Sequence, residues 1–252
     1  MVYNINKVKY LLTTIITVAS LNMFASQTRN IEAKEAAVIF KNIGDWFKDT
    51  EKYSVAVEFR TFNGHDATVP HEFKQGYLKK YGKNFHSMIM GSETMQNENY
   101  QIIIDTSNKF IAIKNAEKNI WEKINPNIIQ KGLINEQSFS LTELNDGFQL
   151  KMIPSKSSSI NYYEINYDKL YRIKSVVIKL TKSDLKEDGK TEYPIYPKVT
   201  IRFYNYSSSV KFDANEFNAA TYLNLSEPKI SGNGKYKNLK ILDLRVKEKL
   251  KN

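Results

Sequence analysis

Hydrophobic and polar residues alternate over much of the chain after residue 52, and this pattern predicts β-strands. In the first such segment Tyr53, Val55, Val57 and Phe59 fall on one side, and small or charged residues fall on the other. A side-chain period of two is typical of an antiparallel strand that is buried on one face. Further strands are predicted over segments that alternate in the same way or are rich in aromatic residues: 72–80, 84–91, 100–104, 109–113, 148–153, 162–167, 171–180 and 197–206.

One segment before these strands has a helical pattern. Its apolar residues lie on a single stripe with a 3.6-residue period, between residues 31 and 48: Ala36, Ile39, Phe40, Ile43 and Phe47. Because the polar side of this helix is mixed rather than basic, packing on the protein core is favoured over binding at a membrane surface. A second, short helix is predicted over residues 126–131, where a proline opens the first turn and a glycine follows the last.

The spacing of these elements favours a mainly β fold. Turn-forming residues such as Asn145-Asp-Gly147 separate the strands, and no long helices alternate with them. A parallel sheet with crossover helices needs such helices, so we expect one antiparallel sheet or open barrel instead.

Residues 1–25 have the composition of a secretory signal peptide. Lys7 and Lys9, with no acidic residue, precede a mostly apolar run from Leu11 to Phe24. This run is shorter than the roughly 20 apolar residues that a membrane-spanning helix needs, so an anchor is the less favoured alternative, as is a buried helix. We therefore predict export to the periplasm. The chain has no cysteine, so disulfides cannot stabilise the exported protein.

The formal net charge of +10 is concentrated at the C-terminus. Residues 229–252 contain eight basic and two acidic residues, whereas the body of the chain is nearly balanced. A basic segment of this kind can dock on an anionic surface or on an envelope partner protein, but a solvated and partly flexible terminus is the favoured interpretation. Nucleic-acid binding is not expected, because no recognition motif accompanies the charge.

Residues that carry out catalysis or bind metal ions are scarce. His65, His71 and His86 lie in different predicted elements at spacings that match no metal motif, and there is no cysteine. No Gly-x-Ser-x-Gly nucleophile motif occurs in the sequence. The sequence therefore predicts a protein that is not an enzyme and that uses neither a cofactor nor a metal.

Several segments follow one another in an order that points to a known family. After the signal peptide and the helix come Tyr53-Ser-Val-Ala-Val-Glu-Phe59, Gly76-Tyr-Leu78, Met88-Ile-Met90, the 102–113 hairpin and Phe212-Asp-Ala-Asn-Glu-Phe217. This order resembles the LolA/LolB-like periplasmic lipoprotein-carrier family over residues 30–222. Residues 223–252 form a basic C-terminal extension without a counterpart. The turn Asp105-Thr-Ser-Asn-Lys109 also departs from the aspartate-glycine-lysine turn of that family.

The resemblance implies an α+β fold in which an antiparallel sheet curls into an incomplete barrel. The N-terminal helix and the short mid-chain helix would cover a hydrophobic cavity that takes acyl chains. Arg60 would match a cationic residue near that cavity. The residues predicted to bind the ligand are Tyr53, Val55, Val57, Phe59, Arg60, Met88 and Met90.

Two functions stay open at this point. The first is a monomeric envelope protein that binds acyl chains, a lipoprotein or another hydrophobic ligand. The apolar side chains of the first predicted strand and the two methionines would then face the cavity together. The alternative is an interaction module with a fully packed sheet, which docks through its basic C-terminus.

Overall fold

The structure of the protein is a computed structural model, which describes residues 27–117, 138–154, 160–181, 197–213, 215–226 and 229–245. Within these ranges the α-helix α1 spans Ala33–Asp49, and two short 3₁₀ helices span Ala219–Thr221 and Gly234–Tyr236. The strands are β1 Thr28–Ile31, β2 Lys52–Phe62, β3 Glu72–Tyr81, β4 Asn84–Ile89, β5 Ser92–Gln96, β6 Tyr100–Asp105, β7 Phe110–Asn115, β8 Ser138–Leu144, β9 Gly147–Ile153, β10 Ile160–Tyr167, β11 Ile173–Leu180, β12 Lys198–Ser207, β13 Leu223–Asn224, β14 Ser231–Gly232 and β15 Lys240–Asp243.

Thirteen of these strands form one sheet that does not close on itself. Their order is β1-β8-β9-β10-β11-β12-β2-β3-β4-β5-β6-β7-β15, and β13 pairs with β14 separately. Neighbouring strands of the large sheet run antiparallel, except that β15 runs parallel to β7. The prediction of a mainly β fold built on one antiparallel sheet is therefore confirmed, with β15 as the exception at one edge.

Helix α1 covers one face of this sheet, which we call the helix face. Its buried residues are the five that the periodicity predicts: Ala36, Ile39, Phe40, Ile43 and Phe47. They pack with apolar side chains of β8–β12 and with Tyr53 and Val55 at the start of β2. This first core thus lies under one half of the sheet.

A second core lies on the other side of the sheet, which we call the opposite face. Cross-strand partners share a face, and the register links Ala56 to Tyr77, Met88, Glu93 and Ile104 in turn. Because side chains alternate along β2, Ala56 and Val55 point to opposite faces. Apolar residues of β5–β7 on this face pack with the C-terminal segment: Met95, Ile102, Ile104, Ile111 and Ile113 with Ala219, Tyr222, Leu223 and Tyr236.

The basic C-terminal segment is part of the fold over residues 229–245. Tyr236 is buried in the second core, Ile241 packs against that core, and β15 pairs with β7. The expectation of a solvated, flexible terminus is wrong for these residues, because they present an apolar side to the sheet. Residues 246–252, the predicted signal peptide and the short helix predicted over 126–131 lie outside the described residues.

Gly76 in β3 lies where the backbone of β4 passes very close to it. A Cβ atom built on Gly76 would overlap the carbonyl oxygen of Met88. No side chain fits this position, so glycine is required there by the close approach of two strands.

Candidate ligand-binding face

The four residues predicted on β2 share the helix face and are buried. Tyr53 and Val55 belong to the first core under α1. Val57, which is 2% exposed, and the buried Phe59 belong to neither core. The alternation predicted for this strand is therefore confirmed, and the ligand-binding role of these side chains stays a prediction.

The two predicted methionines do not share that face. Met88 pairs with Tyr77 and Glu93, which places it on the opposite face. Met90 lies in the β4–β5 turn with a positive φ of 55°, and it is 47% exposed. The prediction that both methionines face a cavity together with Val57 is wrong, because alternation fixes the two sides of each strand but not the register between strands.

Arg60 also lies away from the helix face. Its Nη2 forms an ion pair with Glu58 Oε1 at 2.6 Å, and its guanidinium carbon lies 5.4 Å from the centroid of the Phe73 ring. Arg60 pairs with Phe73 across β2 and β3, and its side chain is 41% exposed. The structure therefore separates Arg60 from Val57 and Phe59.

The helix face continues beyond the first core across β3–β7. Val57 and Phe59 on β2, Phe85 on β4 and Ala112 on β7 are buried apolar residues of the helix face, and neither of the two cores includes them. We call these four residues the apolar patch. Apolar side chains are the main lining of sites that bind hydrophobic ligands in proteins.

Next to the apolar patch the helix face becomes polar. Gln101 Nε2 donates to Gln96 Oε1 at 3.0 Å, and Gln96 Nε2 donates to the backbone oxygen of Glu117 at 3.0 Å. Both glutamines are buried, so the hydrogen bond between them and the one to the Glu117 backbone offset the cost of removing the amides from water. Neutral amides can donate and accept hydrogen bonds, but they offer no nucleophile or general base.

The opposite face contains a buried polar network centred on His86. Its Nδ1 lies 2.6 Å from Glu216 Oε1, and its Nε2 lies 3.0 Å from Glu93 Oε1. The hydroxyl groups of Tyr222 and Tyr236 donate to the Glu93 carboxylate at 3.2 and 3.1 Å. Sequence analysis missed this network, because its members come from β4, β5 and a segment more than 120 residues away in sequence.

The environment of the network favours charged carboxylates. Burial alone would raise the pKa of the Glu93 carboxyl, but hydrogen bonds from His86 and Tyr236 outweigh it and lower that pKa. The pKa of Glu216 is lowered in the same way, by hydrogen bonds from Lys79 and His86 acting against burial. The network therefore ties the C-terminal segment to β3, β4 and β5 through charge-assisted hydrogen bonds.

Two further observations concern the described ranges only. Their His, Asp and Glu side chains form no group of three or more with the arrangement that a metal ion needs. None of their helices combines the length and the apolar character that crossing a bilayer requires.

No known protein-family profile and no curated protein matches this chain. Comparison with solved structures finds a LolA superfamily protein from Nitrosomonas europaea at 10% identity and a TM-score of 0.30, covering 74% of this chain and 97% of the other. A DUF1329 family protein from Desulfovibrio piger matches at 11% identity and a TM-score of 0.30, covering 75% of this chain and 98% of the other.

A domain assigned as an outer membrane lipoprotein-sorting protein from Vibrio parahaemolyticus matches at 12% identity and a TM-score of 0.26, with coverages of 72% and 95%. At such identities and scores we transfer neither a function nor a ligand from these three proteins.

Proposed function

We propose that this chain is a non-enzymatic periplasmic protein that binds acyl chains, a lipoprotein or another hydrophobic ligand on the helix face of its sheet. The observation that carries the proposal is the apolar patch, which is buried, lies on an unclosed sheet and is outside both cores. The sheet would act as an incomplete barrel, with α1 filling one half of its inner face and the ligand lying against the other half.

The energy available from an acyl chain is sufficient without any catalytic or charged group. Each buried methylene contributes about 0.8 kcal/mol, so a chain of about twelve methylenes contributes roughly 10 kcal/mol before the cost of ordering it. Micromolar affinity corresponds to about 8 kcal/mol. A ligand that buries most of its chain can therefore be retained by apolar contact alone.

The competing function is an interaction module whose sheet is fully packed. In that case Val57 and Phe59 would be ordinary core residues, and their burial is equally compatible with this interpretation. The two functions differ in whether apolar ligands can reach the patch.

The test is uptake of dansyl-labelled undecanoic acid, a fluorescent fatty-acid probe, by the wild type and by two variants of β2. Val57→Lys places a charge on the apolar patch, whereas Ala56→Lys places the same charge one residue away on the opposite face. We expect Val57→Lys to lose probe uptake and Ala56→Lys to retain it. Circular dichroism of each variant checks that the fold persists.

A milder substitution covers the case in which Val57→Lys fails to fold. Val57→Thr keeps the shape of the side chain and replaces one methyl group by a hydroxyl, at a cost of about 1–3 kcal/mol if the hydroxyl finds no partner. It should remain folded and bind the probe more weakly. A wild type that takes up no probe, or uptake that is unchanged in both Val57 variants, would exclude the carrier function.

A further inference from the structure

A groove of about 780 Å³ lies apart from the apolar patch, and the proposed function does not use it. It is bounded by the start of β2, the β3–β4 and β5–β6 turns, and residues 211–213 and 215–218, which we call the strap. Its volume is in the range of small-molecule binding sites, about 300–1,000 Å³. Its lining combines aromatic rings, asparagine amides and two charges of each sign.

Aromatic rings form one wall of the groove. Tyr81 is 50% exposed, and its ring centroid lies 6.4 Å from that of Phe212 on the strap. Phe217 meets the Phe212 ring edge-on, with 5.3 Å between centroids. The face of an aromatic ring is electron-rich and attracts C–H groups that carry partial positive charge, such as those on one face of a sugar ring.

Amide side chains supply the polar part of the lining. Among the described residues, the side chains of Asn84 and Asn99 make no hydrogen bond to the protein. Asn218 uses its side-chain oxygen to accept from Ala220 N, which leaves its NH₂ group for a ligand. An amide both donates and accepts, and a ligand with neighbouring hydroxyl groups needs partners that do both.

The charges in the groove are balanced. Lys52 and Lys211 lie in the same lining as Glu98 and Asp213. The Nζ of Lys52 lies 5.7 Å from the centroids of both the Tyr81 and Phe212 rings. A lining without net charge does not select an anion or a cation, so it favours a neutral polar ligand.

The strap is held in place by the network on the opposite face. Glu216 accepts from Lys79 Nζ at 2.7 Å and bonds to His86 Nδ1 at 2.6 Å. The side chain of Asn97 donates to the backbone oxygen of Phe217 at 3.2 Å. These bonds fix the wall that carries Phe212 and Phe217, and a preorganised wall reduces the entropy lost on binding.

We propose that this groove is a saccharide-binding site, which takes a neutral oligosaccharide with the C–H face of one sugar ring against Tyr81 and its hydroxyl or acetamido groups against the asparagine amides. The site is separate from the apolar patch. Its ligand would be bound independently of any acyl chain.

The experiment is isothermal titration calorimetry of the mature protein with two probes, maltotetraose and tetra-N-acetylchitotetraose. Two variants of β3 form a matched pair: Tyr81→Ala removes the ring in the groove, and Phe73→Ala removes a ring of similar exposure, 48%, that lies outside it. We expect at least one probe to bind, with about tenfold weaker binding in Tyr81→Ala, the usual effect of losing one aromatic contact. Phe73→Ala should bind as the wild type does.

Two cross-checks separate saccharide binding in the groove from acyl-chain binding at the apolar patch. Val57→Lys should leave oligosaccharide binding unchanged if it remains folded, and Tyr81→Ala should leave uptake of the fatty-acid probe unchanged. Absence of heat with both oligosaccharides at millimolar concentration would overturn the saccharide site. Binding that is equally strong in Tyr81→Ala and in Asn99→Leu would overturn it too, since the ligand would then lie elsewhere.

Discussion

The buried network around His86 gives the sharpest prediction about stability. Glu93→Gln keeps the size of the side chain and removes its charge, which His86, Tyr222 and Tyr236 all contact. We expect this substitution to destabilise the protein strongly, although Glu93 lies in neither the apolar patch nor the groove.

The magnitude follows from the contacts. A hydrogen bond to a charged group contributes about 1.5–3 kcal/mol net, and the Glu93 carboxylate accepts such bonds from two buried tyrosine hydroxyl groups. Because glutamine still offers one acceptor oxygen, we expect a loss of about 3 kcal/mol. For a protein of this size that lowers the Tm by about 6–12 °C.

The lowered pKa of Glu93 also determines how the stability of the protein should depend on pH. Its ordinary value of 4.5 applies to the unfolded chain, and the native pKa lies below it. At a pH between the native and the unfolded pKa, the unfolded chain therefore binds more protons than the native one. Its contribution is complete above pH 4.5 and is lost as the pH falls through the native pKa. The wild type should therefore lose stability below pH 4.5 more steeply than Glu93→Gln.

The assay is urea unfolding followed by circular dichroism at pH 7 and pH 4, with Glu98→Gln as the control. Glu98 is an exposed glutamate five residues away, where the same change should stay within about 0.5 kcal/mol. Equal unfolding midpoints for the two variants at pH 7 would refute the reasoning. So would an acid dependence that Glu93→Gln leaves unaltered.

Two substitutions test the packing of the sheet by thermal unfolding. Gly76→Ala should cost more than about 3 kcal/mol, because its Cβ overlaps the Met88 carbonyl. Gly64→Ala, whose Cβ would make only an ordinary contact of 3.9 Å with Ala67 Cβ, should change the Tm little. A tolerated Gly76→Ala would contradict the close approach of β3 and β4. Leu223→Ala should cost about 2–5 kcal/mol because Leu223 is buried in the second core, whereas the exposed Leu244→Ala should be nearly neutral. Equal effects at the two leucines would show that the C-terminal segment does not pack as described.

The local patterns in the sequence determined most of the secondary structure. The helix predicted over 31–48 is found at Ala33–Asp49, with the five predicted residues on its buried stripe. Long alternating segments such as 53–61 lie in strands close to their predicted ends, as in β2. The 105–108 turn also forms as expected, since Asp105 Oδ1 accepts from Asn108 N. These features depend on residues close together in the chain, so their signals are local.

Several short strands were not predicted from the sequence. β1, β5 and β8 were not predicted, and neither was β15. Unlike β6 and β7, which are similarly short, these segments have no run of isoleucine and aromatic residues that marks a strand. β15 in particular forms because Ile241 packs on the second core and its backbone pairs with β7. Such a strand exists only when its partner is already in place.

Tertiary structure alone decided which strand faces lie together and where the polar residues meet. The sequence placed Val57 and Met88 each on one side of its own strand, but the register through β3 placed them on opposite faces of the sheet. The tertiary structure also brought Glu216 next to His86, and Phe212 next to Tyr81, although each pair is separated by more than 120 residues in the sequence. Period-two alternation contains no information about register, because a shift of one residue exchanges the two faces of a strand without changing its pattern.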